Sequence, residues 1–338
     1  MAQKWKWGVL FSGDNLTLAE TLHYACMAED AGADSVWATE LGRDAFVPLA
    51  AMVARCKRVR LGTGVAIFAR PPALTEFSAM SMAELTEGRF ILGLGTAPKE
   101  WNEDWHGVSY RKPVTRMREY VEAIRLMWTA SPTSPINYEG ELITIRDYRR
   151  LMELPCAPPP IHLAAVQTGM LQLAGELADG LLANVLNTPH YFTDIVHPNV
   201  KKGLSKADRS FSDIELCSVK ACSVDKDRAR ARQRVRPSIA FYSRLSYFDQ
   251  VLDPAGFTRE KLAIRDAWGR HDVPTMIDLV TDDMIDALAL AGTPDEVRKQ
   301  LDRFEGLFET VLLYCPMPFI DREESLANHE AMIEAFAG

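Results

Sequence analysis

Three side chains that could transfer protons stand just beyond predicted β-strands. Glu40 follows the apolar stretch SVWAT, and Glu100 and His106 lie in the segment TAPKEWNEDWHG, which follows another such stretch. A carboxylate or an imidazole beside a bound substrate can donate or accept a proton. A structural interpretation is also open, in which Glu40 pairs with Arg43 and the segment is a surface loop pinned by its tryptophans. Glu40, Glu100 and His106 are the candidate catalytic residues.

Glycines interrupt two of the predicted strands. Gly62 and Gly64 lie in LGTGVAIF, and Gly93 and Gly95 lie in ILGLGTAP. Glycine inside a strand marks a bulge or a close approach of the backbone to another group. We favour a close approach of the backbone to a planar group, and tight helix–strand packing is the alternative.

The segment PIHLAAVQTG offers a different kind of binding group. It joins a predicted strand to a helix that starts at Thr168, and the free N–H groups at a helix N-terminus bind phosphate well. Because every helix has such an end, the feature alone identifies no site. Nucleotide-binding and hydrolase motifs such as GxxxxGK[ST], HExxH and GxSxG are absent, and no i, i+4 pair occurs among the seven histidines. We therefore predict no metal site.

These junctions belong to an alternation of short apolar strands and amphipathic helices along 338 residues. The predicted strands are Trp7–Phe11, Ser35–Ala38, Arg60–Val65, Phe90–Leu94, Ile161–Ala164, Leu181–Asn184, Ile214–Val224 and Thr310–Tyr314. The predicted helices include Leu16–Ala31, Phe46–Cys56, Thr75–Leu85, Pro113–Thr129, Thr168–Ala178 and Glu323–Phe336. Such alternation makes a parallel sheet with helical crossovers. Because no flexible linker divides the sequence, this alternation favours one (β/α)8 TIM barrel domain over residues 1–338.

Two segments break the alternation and are predicted insertions. Residues 131–160 are rich in proline and suggest a hairpin that turns at Glu139–Gly140. Residues 237–290 have a helical but irregular pattern, and we expect them to roof the site. Their aromatic residues make an apolar or aromatic small-molecule substrate plausible; they include Phe241, Tyr242, Tyr247, Phe248 and Trp268.

The net charge bears on which partners the protein could bind, and its cysteines bear on the cellular compartment. The net charge is −8, and the densest basic stretch, Lys226–Arg236, spreads its charges around a helix, so no nucleic-acid partner is expected. No apolar run is long enough to span a membrane. The six cysteines lack CxxC spacing and are expected to be reduced. The N-terminal stretch MAQKWKWGVLFSGD has too short an apolar run for a signal peptide, and together with the cysteines it favours a cytoplasmic protein.

Eight segments in register resemble the bacterial luciferase-like superfamily over roughly residues 7–315. They are AEDAGADSVWATE, LGTGVAIFARPPALTE, LTEGRFILGLGTAPKEWNEDWHG, KPVTRMREYVEAIRLMW, YEGE, PIHLAA, LAGELADGLL and GTPDEVRKQLDRF. The superfamily includes flavin-dependent monooxygenases and deazaflavin-dependent dehydrogenases and reductases. The sequence is most similar to the deazaflavin-using branch.

The resemblance implies a set of cofactor contacts and an assembly. The Gly64–Val65 bond would match a non-prolyl cis peptide behind the cofactor ring, the loop from Thr96 to Asn102 would line the ring, and the segment after PIHLA would bind the phosphate. The implied cofactor-binding residues are Gly64, Val65, Thr96, Ala97, Asn102, Ala165, Val166, Gln167, Thr168 and Gly169. Relatives are usually homodimers, which implies an interface on early helices such as Thr75–Leu85.

One position departs from the pattern of the superfamily. Many relatives carry an acidic residue followed by histidine after the second strand, whereas this chain has Glu40-Leu41. Acid–base help must then come from Glu40, Glu100 or His106. We favour hydride transfer between the deazaflavin coenzyme F420 and a small organic substrate. An FMN-dependent monooxygenase that uses reduced flavin and O2 is the first alternative, and a non-catalytic flavin-binding barrel is the second.

Overall fold

Eight parallel strands close into a barrel in the computed structural model, which describes residues 5–12 and 15–337. The strands are β1 Lys6–Phe11, β2 Ser35–Ala38, β3 Arg60–Thr63, β4 Phe90–Gly95, β5 Ile161–Ala165, β6 Gly180–Ala183, β7 Glu215–Val224 and β8 Thr310–Tyr314. Because β8 pairs with β1 on one side and with β7 on the other, the sheet has no open edge there. The predicted (β/α)8 TIM barrel is confirmed. Part of the N-terminal stretch that we interpreted as lacking a signal peptide lies outside the described residues.

Helices connect the strands and surround the barrel. They are α1 Leu18–Asp30, α2 Phe46–Val53, α3 Pro72–Leu85, α4 Pro113–Trp128, α5 Thr168–Leu177, α6 His197–Lys206, α7 Arg228–Ser243, α8 Asp249–Leu252, α9 Thr258–Gly269, α10 Val273–Asp278, α11 Asp282–Leu288, α12 Pro294–Gln300 and α13 Arg322–Phe336. Short helical turns at Pro189–Tyr191 and Phe192–Val196 lead into α6, and a short strand at Leu290–Gly292 extends the sheet beside β7. In the described ranges no helix has both the length and the apolar character needed to cross a membrane.

The glycines of β3 and β4 make room for neighbouring barrel groups. A Cβ atom at Gly62 would lie 2.3 Å from the ring of Trp37, and one at Gly93 would lie 1.8 Å from the carbonyl oxygen of Thr63. Trp37 is fully buried in the core. The expected approach to a planar group is therefore found at Gly62. That planar group is an indole of the barrel itself, and at Gly93 the neighbour is the backbone of an adjacent strand instead of a helix.

The first insertion is the predicted hairpin. Strands Ile136–Glu139 and Thr144–Tyr148 pair in antiparallel fashion on either side of the turn. The buried carboxylate of Glu119 in α4 accepts hydrogen bonds from the backbone N–H groups of Glu141 and Leu142, both at 2.8 Å, and of Ile143 at 2.9 Å. This carboxylate fixes the hairpin to the outside of the barrel.

The second insertion covers the carboxyl ends of the strands. Its helices, α7 to α11, run from Arg228 to Leu288 and so begin before residue 237; we call this segment the lid. The hydroxyl of Tyr242 lies 2.9 Å from that of Tyr314, the last residue of β8, and Gln250 donates to the carbonyl of Val166 beyond β5. The lid therefore spans the mouth between two barrel strands.

An ion-pair cluster closes the opposite end of the barrel. Arg60 lies 2.5 Å from Asp34 and 2.8 Å from Glu215. His162 is buried nearby, with its Nε2 3.9 Å from Glu215, and within the described residues its Nδ1 has no hydrogen-bond partner. Burial lowers the pKa of His162 to about 4. Because Arg60 already neutralises Glu215, we assign no metal to the neighbouring donors of His162, Glu215 and Cys217.

We expect His162 to make the free energy of unfolding fall by about 2 kcal/mol between pH 7 and pH 5. The imidazole titrates near 6.5 when unfolded and near 4 when folded, so protons bind first to the unfolded chain as the pH falls. His162→Phe keeps a ring beside Trp37 and removes the titration. Urea unfolding of both proteins at the two pH values measures the effect, and an unchanged pH dependence in the variant would contradict it.

Candidate active site at the barrel mouth

A backbone bulge follows β3 at the mouth of the barrel. The peptide bond between Gly64 and Val65 is cis, which confirms the prediction, and Ala66–Ile67 then pairs with the end of β4. A Cβ atom at Gly64 would lie 2.6 Å from the side chain of Leu10. The space beside Gly64 is thus taken by the barrel interior, while Val65 remains partly exposed.

Glu40 anchors this bulge. Its backbone N–H donates to the carbonyl of Val65 at 3.1 Å, and its carboxylate accepts from the N–H of Ile67 at 2.8 Å. The other carboxylate oxygen lies 3.1 Å from the guanidinium of Arg70. Arg43 binds a backbone carbonyl instead, so the partner of Glu40 is not the arginine that the sequence suggested. Both oxygens of Glu40 are engaged in holding the segment after the cis bond.

Asn102 closes the loop that follows β4. Its side-chain amide donates to the carbonyls of Thr96 at 2.7 Å and Pro98 at 2.9 Å, and Ala97 between them adopts a left-handed backbone with φ of 54°. The residue is fully buried, yet within the described chain its Oδ1 has no hydrogen-bond donor. The loop thus presents one buried acceptor without a partner.

The other two predicted acid–base residues differ in their surroundings. Glu100 is exposed, and its charge adds to burial in raising the pKa of Tyr247 in the lid. His106 is also exposed, and in the part of the chain that the structure describes its imidazole forms no hydrogen bond or ion pair. No such contact joins Glu40, Glu100 and His106 to one another in that part. Glu100 therefore lies at the mouth of the barrel and acts electrostatically on the lid. No interaction between His106 and the lid is found in the described residues.

The start of α5 lies beside this loop at the end of β5. Gln167 precedes the helix with no side-chain cap, so the N–H groups of Thr168 and Gly169 have no partner within the helix. Ala165 ends β5, and the carbonyl of Val166 accepts a hydrogen bond from the hydroxyl of Tyr191 at 2.5 Å. This end of α5 has the character of an anion site.

Asn184 adds a side-chain donor next to the start of α5. It directly follows β6, whose Ala183 pairs in register with Ala165. Its Oδ1 accepts from the N–H of Leu186 at 3.1 Å, while its buried Nδ2 has no acceptor among the described residues. The side-chain amide of Asn187 donates a hydrogen bond of 2.5 Å to the backbone carbonyl of Asn184. Asn184 is therefore fixed with one unpaired donor.

These hydrogen-bond donors and the acceptor of Asn102 fit an extended cofactor with a phosphate and a polar ring system. Helix N–H groups and the amide of Asn184 suit an oxyanion, and the free acceptor of Asn102 suits an N–H or O–H of a ring. The sequence analysis missed Asn184, although it ends a predicted strand. The rule that sites lie at the carboxyl ends of barrel strands could have found it.

Comparisons with known proteins place the chain in a family. The family model described as luciferase-like monooxygenase matches residues 6–310. The 5,10-methylenetetrahydromethanopterin reductase of Archaeoglobus fulgidus is 31% identical over 305 residues, which cover 88% of this chain and 89% of that protein. The protein of the same name from Methanolobus tindarius is 30% identical over 285 residues, covering 83% and 85%.

Solved structures show the same fold. The coenzyme F420-dependent tetrahydromethanopterin reductase from Methanopyrus kandleri superposes with a TM-score of 0.83 at 25% identity, covering 99% of this chain and 100% of that chain. A type II Baeyer–Villiger monooxygenase from Pseudomonas putida in complex with FMN has a TM-score of 0.67 at 15% identity, covers 98% of both chains, and supports the fold alone. The chain belongs to the luciferase-like monooxygenase family.

Proposed function

We propose that the chain is an F420-dependent oxidoreductase that transfers a hydride between the bound deazaflavin and a small organic substrate. The observation that carries this proposal is the unpaired donor of Asn184 beside the uncapped start of α5, on the same side of the mouth as the unpaired acceptor of Asn102. The names of the reductases from Archaeoglobus fulgidus and Methanopyrus kandleri support the choice of reaction and cofactor.

Residues around the mouth have separate roles in this proposal. The phosphate would be held by Asn184 and by the segment Ala165, Val166, Gln167, Thr168 and Gly169. The ring would be lined by Gly64, Val65, Thr96, Ala97 and Asn102. The deazaflavin, when bound, supplies the carbon that gives or takes the hydride. The barrel and its lid then supply position and exclude water.

Titration of the purified apoprotein with F420 and with FMN tests the proposal. We expect F420 to bind at least about tenfold more tightly than FMN, a difference of about 1.4 kcal/mol. Preferential binding of FMN would favour the monooxygenase alternative, which the family description supports. Binding of a flavin without any turnover would favour the non-catalytic barrel.

Glu100 is our proposed proton-transfer group, and Glu40 is a positioning residue. Glu100→Gln should lower kcat by about 100-fold while leaving the Kd for F420 unchanged, since general acid–base help is worth roughly 10²–10⁴. Glu40→Gln should weaken F420 binding, because it loosens the segment around Ile67. His106→Ala should change neither quantity. If His106→Ala loses turnover and Glu100→Gln does not, the two roles are exchanged.

We also propose that the protein is a cytoplasmic homodimer. An exposed apolar surface on α3 supports the dimer. Leu74, Phe77 and Leu85 of α3 are about half exposed, at 51%, 49% and 54%. The ring of Phe77 stacks on that of Tyr148 in the hairpin, with 6.4 Å between the ring centres. The surface therefore continues from α3 onto the hairpin. Free thiols at all six cysteines agree with the proposed compartment.

Phe77→Glu should convert the dimer into monomers at micromolar concentration, because it places a charge in the apolar contact. Sedimentation velocity measures the change. Leu262→Glu is the matched control, since Leu262 is 56% exposed on α9 in the lid. A wild-type monomer, or equal dissociation of both variants, would contradict the proposed interface.

A further inference from the structure

Arg244 is a half-buried cation of the lid that has aromatic neighbours and no acidic partner. It directly follows α7, and its guanidinium carbon lies 4.3 Å from the ring centre of Phe241 and 4.5 Å from that of Trp268. Its Nε is buried without an acceptor, and in the described ranges the side chain forms no ion pair. The two rings contact the guanidinium without forming an ion pair with it.

The neighbouring cations of the lid are neutralised. Lys261 lies 2.6 Å from Asp253, and Arg265 lies 2.5 Å from Asp249. Arg265 also donates to the carbonyl of Leu245 at 3.2 Å, so this paired cluster stands beside Arg244. Asp249 and Asp253 are thus paired with other cations, and Arg244 remains available to an anion from outside the chain.

Arg244 also stands on the mouth side of the lid. The end of α7 is tied to β8 through the hydroxyls of Tyr242 and Tyr314. Burial lowers the pKa of Arg244, while the charges of Tyr247 and Glu100 raise it. Glu100 belongs to the loop that Asn102 closes. The contact between Tyr242 and Tyr314 therefore places the end of α7, and Arg244 beside it, at the barrel mouth.

We propose that Arg244 binds the oxyanion of the substrate, so that the enzyme prefers organic carboxylates or phosphates with a flat apolar body. A guanidinium offers planar, paired donors that match both oxyanions. The rings of Phe241 and Trp268 fix its plane and offer apolar surface to the body of the substrate. The proposal rests on the proposed function, because it assigns the substrate class of the same site. The acidic groups of F420 itself are the competing source of the same chemistry.

Binding of benzoate and of neutral benzamide to the purified protein tests the charge preference. By isothermal titration, the wild type should bind benzoate at least about tenfold more tightly than benzamide, since charged hydrogen bonds are the stronger ones. Arg244→Gln should abolish the preference, and Arg244→Lys should retain part of it. Arg259→Gln, at an exposed arginine of α9, is the control and should retain all of it. No preference in the wild type, or an equal loss of both ligands in Arg244→Gln, would overturn the proposal.

Titration of Arg244→Gln with F420 separates the two sources of the anion. An unchanged Kd for F420, with benzoate binding retained in the F420-saturated wild type, supports a substrate site. Weaker F420 binding together with displacement of benzoate by F420 would assign Arg244 to the cofactor and overturn the proposal. If the wild type binds no F420 but keeps its preference for benzoate, the anion site stands and the proposed function fails.

Discussion

Replacing Asn102 by leucine is expected to weaken F420 binding by about 30-fold. The substitution removes the amide that holds the carbonyls of Thr96 and Pro98, and with it the buried acceptor that we assign to the ring. Each hydrogen bond contributes about 1 kcal/mol, and two together correspond to roughly this factor. Fluorescence titration of F420 with the purified variant measures the change.

Asn137→Leu is the matched control for this effect. Asn137 is exposed on the hairpin, where its Oδ1 accepts from the N–H of Asp147 at 2.9 Å. The control should bind F420 like the wild type. Wild-type affinity in Asn102→Leu would show that the loop after β4 does not line the cofactor site.

Gly93→Ala is expected to prevent folding or to lower the free energy of unfolding by more than about 3 kcal/mol. The new Cβ would lie 1.8 Å from the carbonyl oxygen of Thr63, a backbone atom of the adjacent strand. Overpacking of a core costs roughly 1–3 kcal/mol when side chains can yield, and here β3 and β4 themselves would have to separate. Soluble yield and urea unfolding measure the loss.

Gly269→Ala tests whether the loss is specific to the barrel. Gly269 ends α9, and a Cβ atom there would meet no atom within 4 Å. Alanine is favoured over glycine in a helix by up to about 1 kcal/mol, so this variant should be as stable as the wild type or more so. A stable Gly93→Ala protein would contradict the described packing of β3 against β4.

The fold could be predicted because each barrel strand is short, apolar and followed by a helix start. Ser35–Ala38 and Thr310–Tyr314 are found with their predicted bounds. The predicted strand Arg60–Val65 is interrupted instead, since β3 ends at Thr63 and the chain pairs again at Ala66–Ile67. The cis bond between them is confirmed, but it was implied by the resemblance to the superfamily and not by local propensity.

Pairings across long sequence separations limited the prediction of the site. Arg70, the partner of Glu40, comes after the bulge, and the pairing of β2 with β3 brings it back to that carboxylate. The unpaired donor of Asn184 depends in the same way on the register between β5 and β6. No sequence motif marks Arg244 as a candidate anion-binding residue. Its surroundings depend on Trp268 from another helix and on the lack of an ion pair within the described lid.

The structure of the chain crystallised with F420 is the most direct test of the proposed site. We expect the phosphate within hydrogen-bond distance of the Asn184 side-chain amide and of the N–H groups at the start of α5, with the ring between the Gly64–Val65 bond and the lid. A cofactor bound elsewhere, or a phosphate that contacts neither Asn184 nor α5, would contradict the proposal.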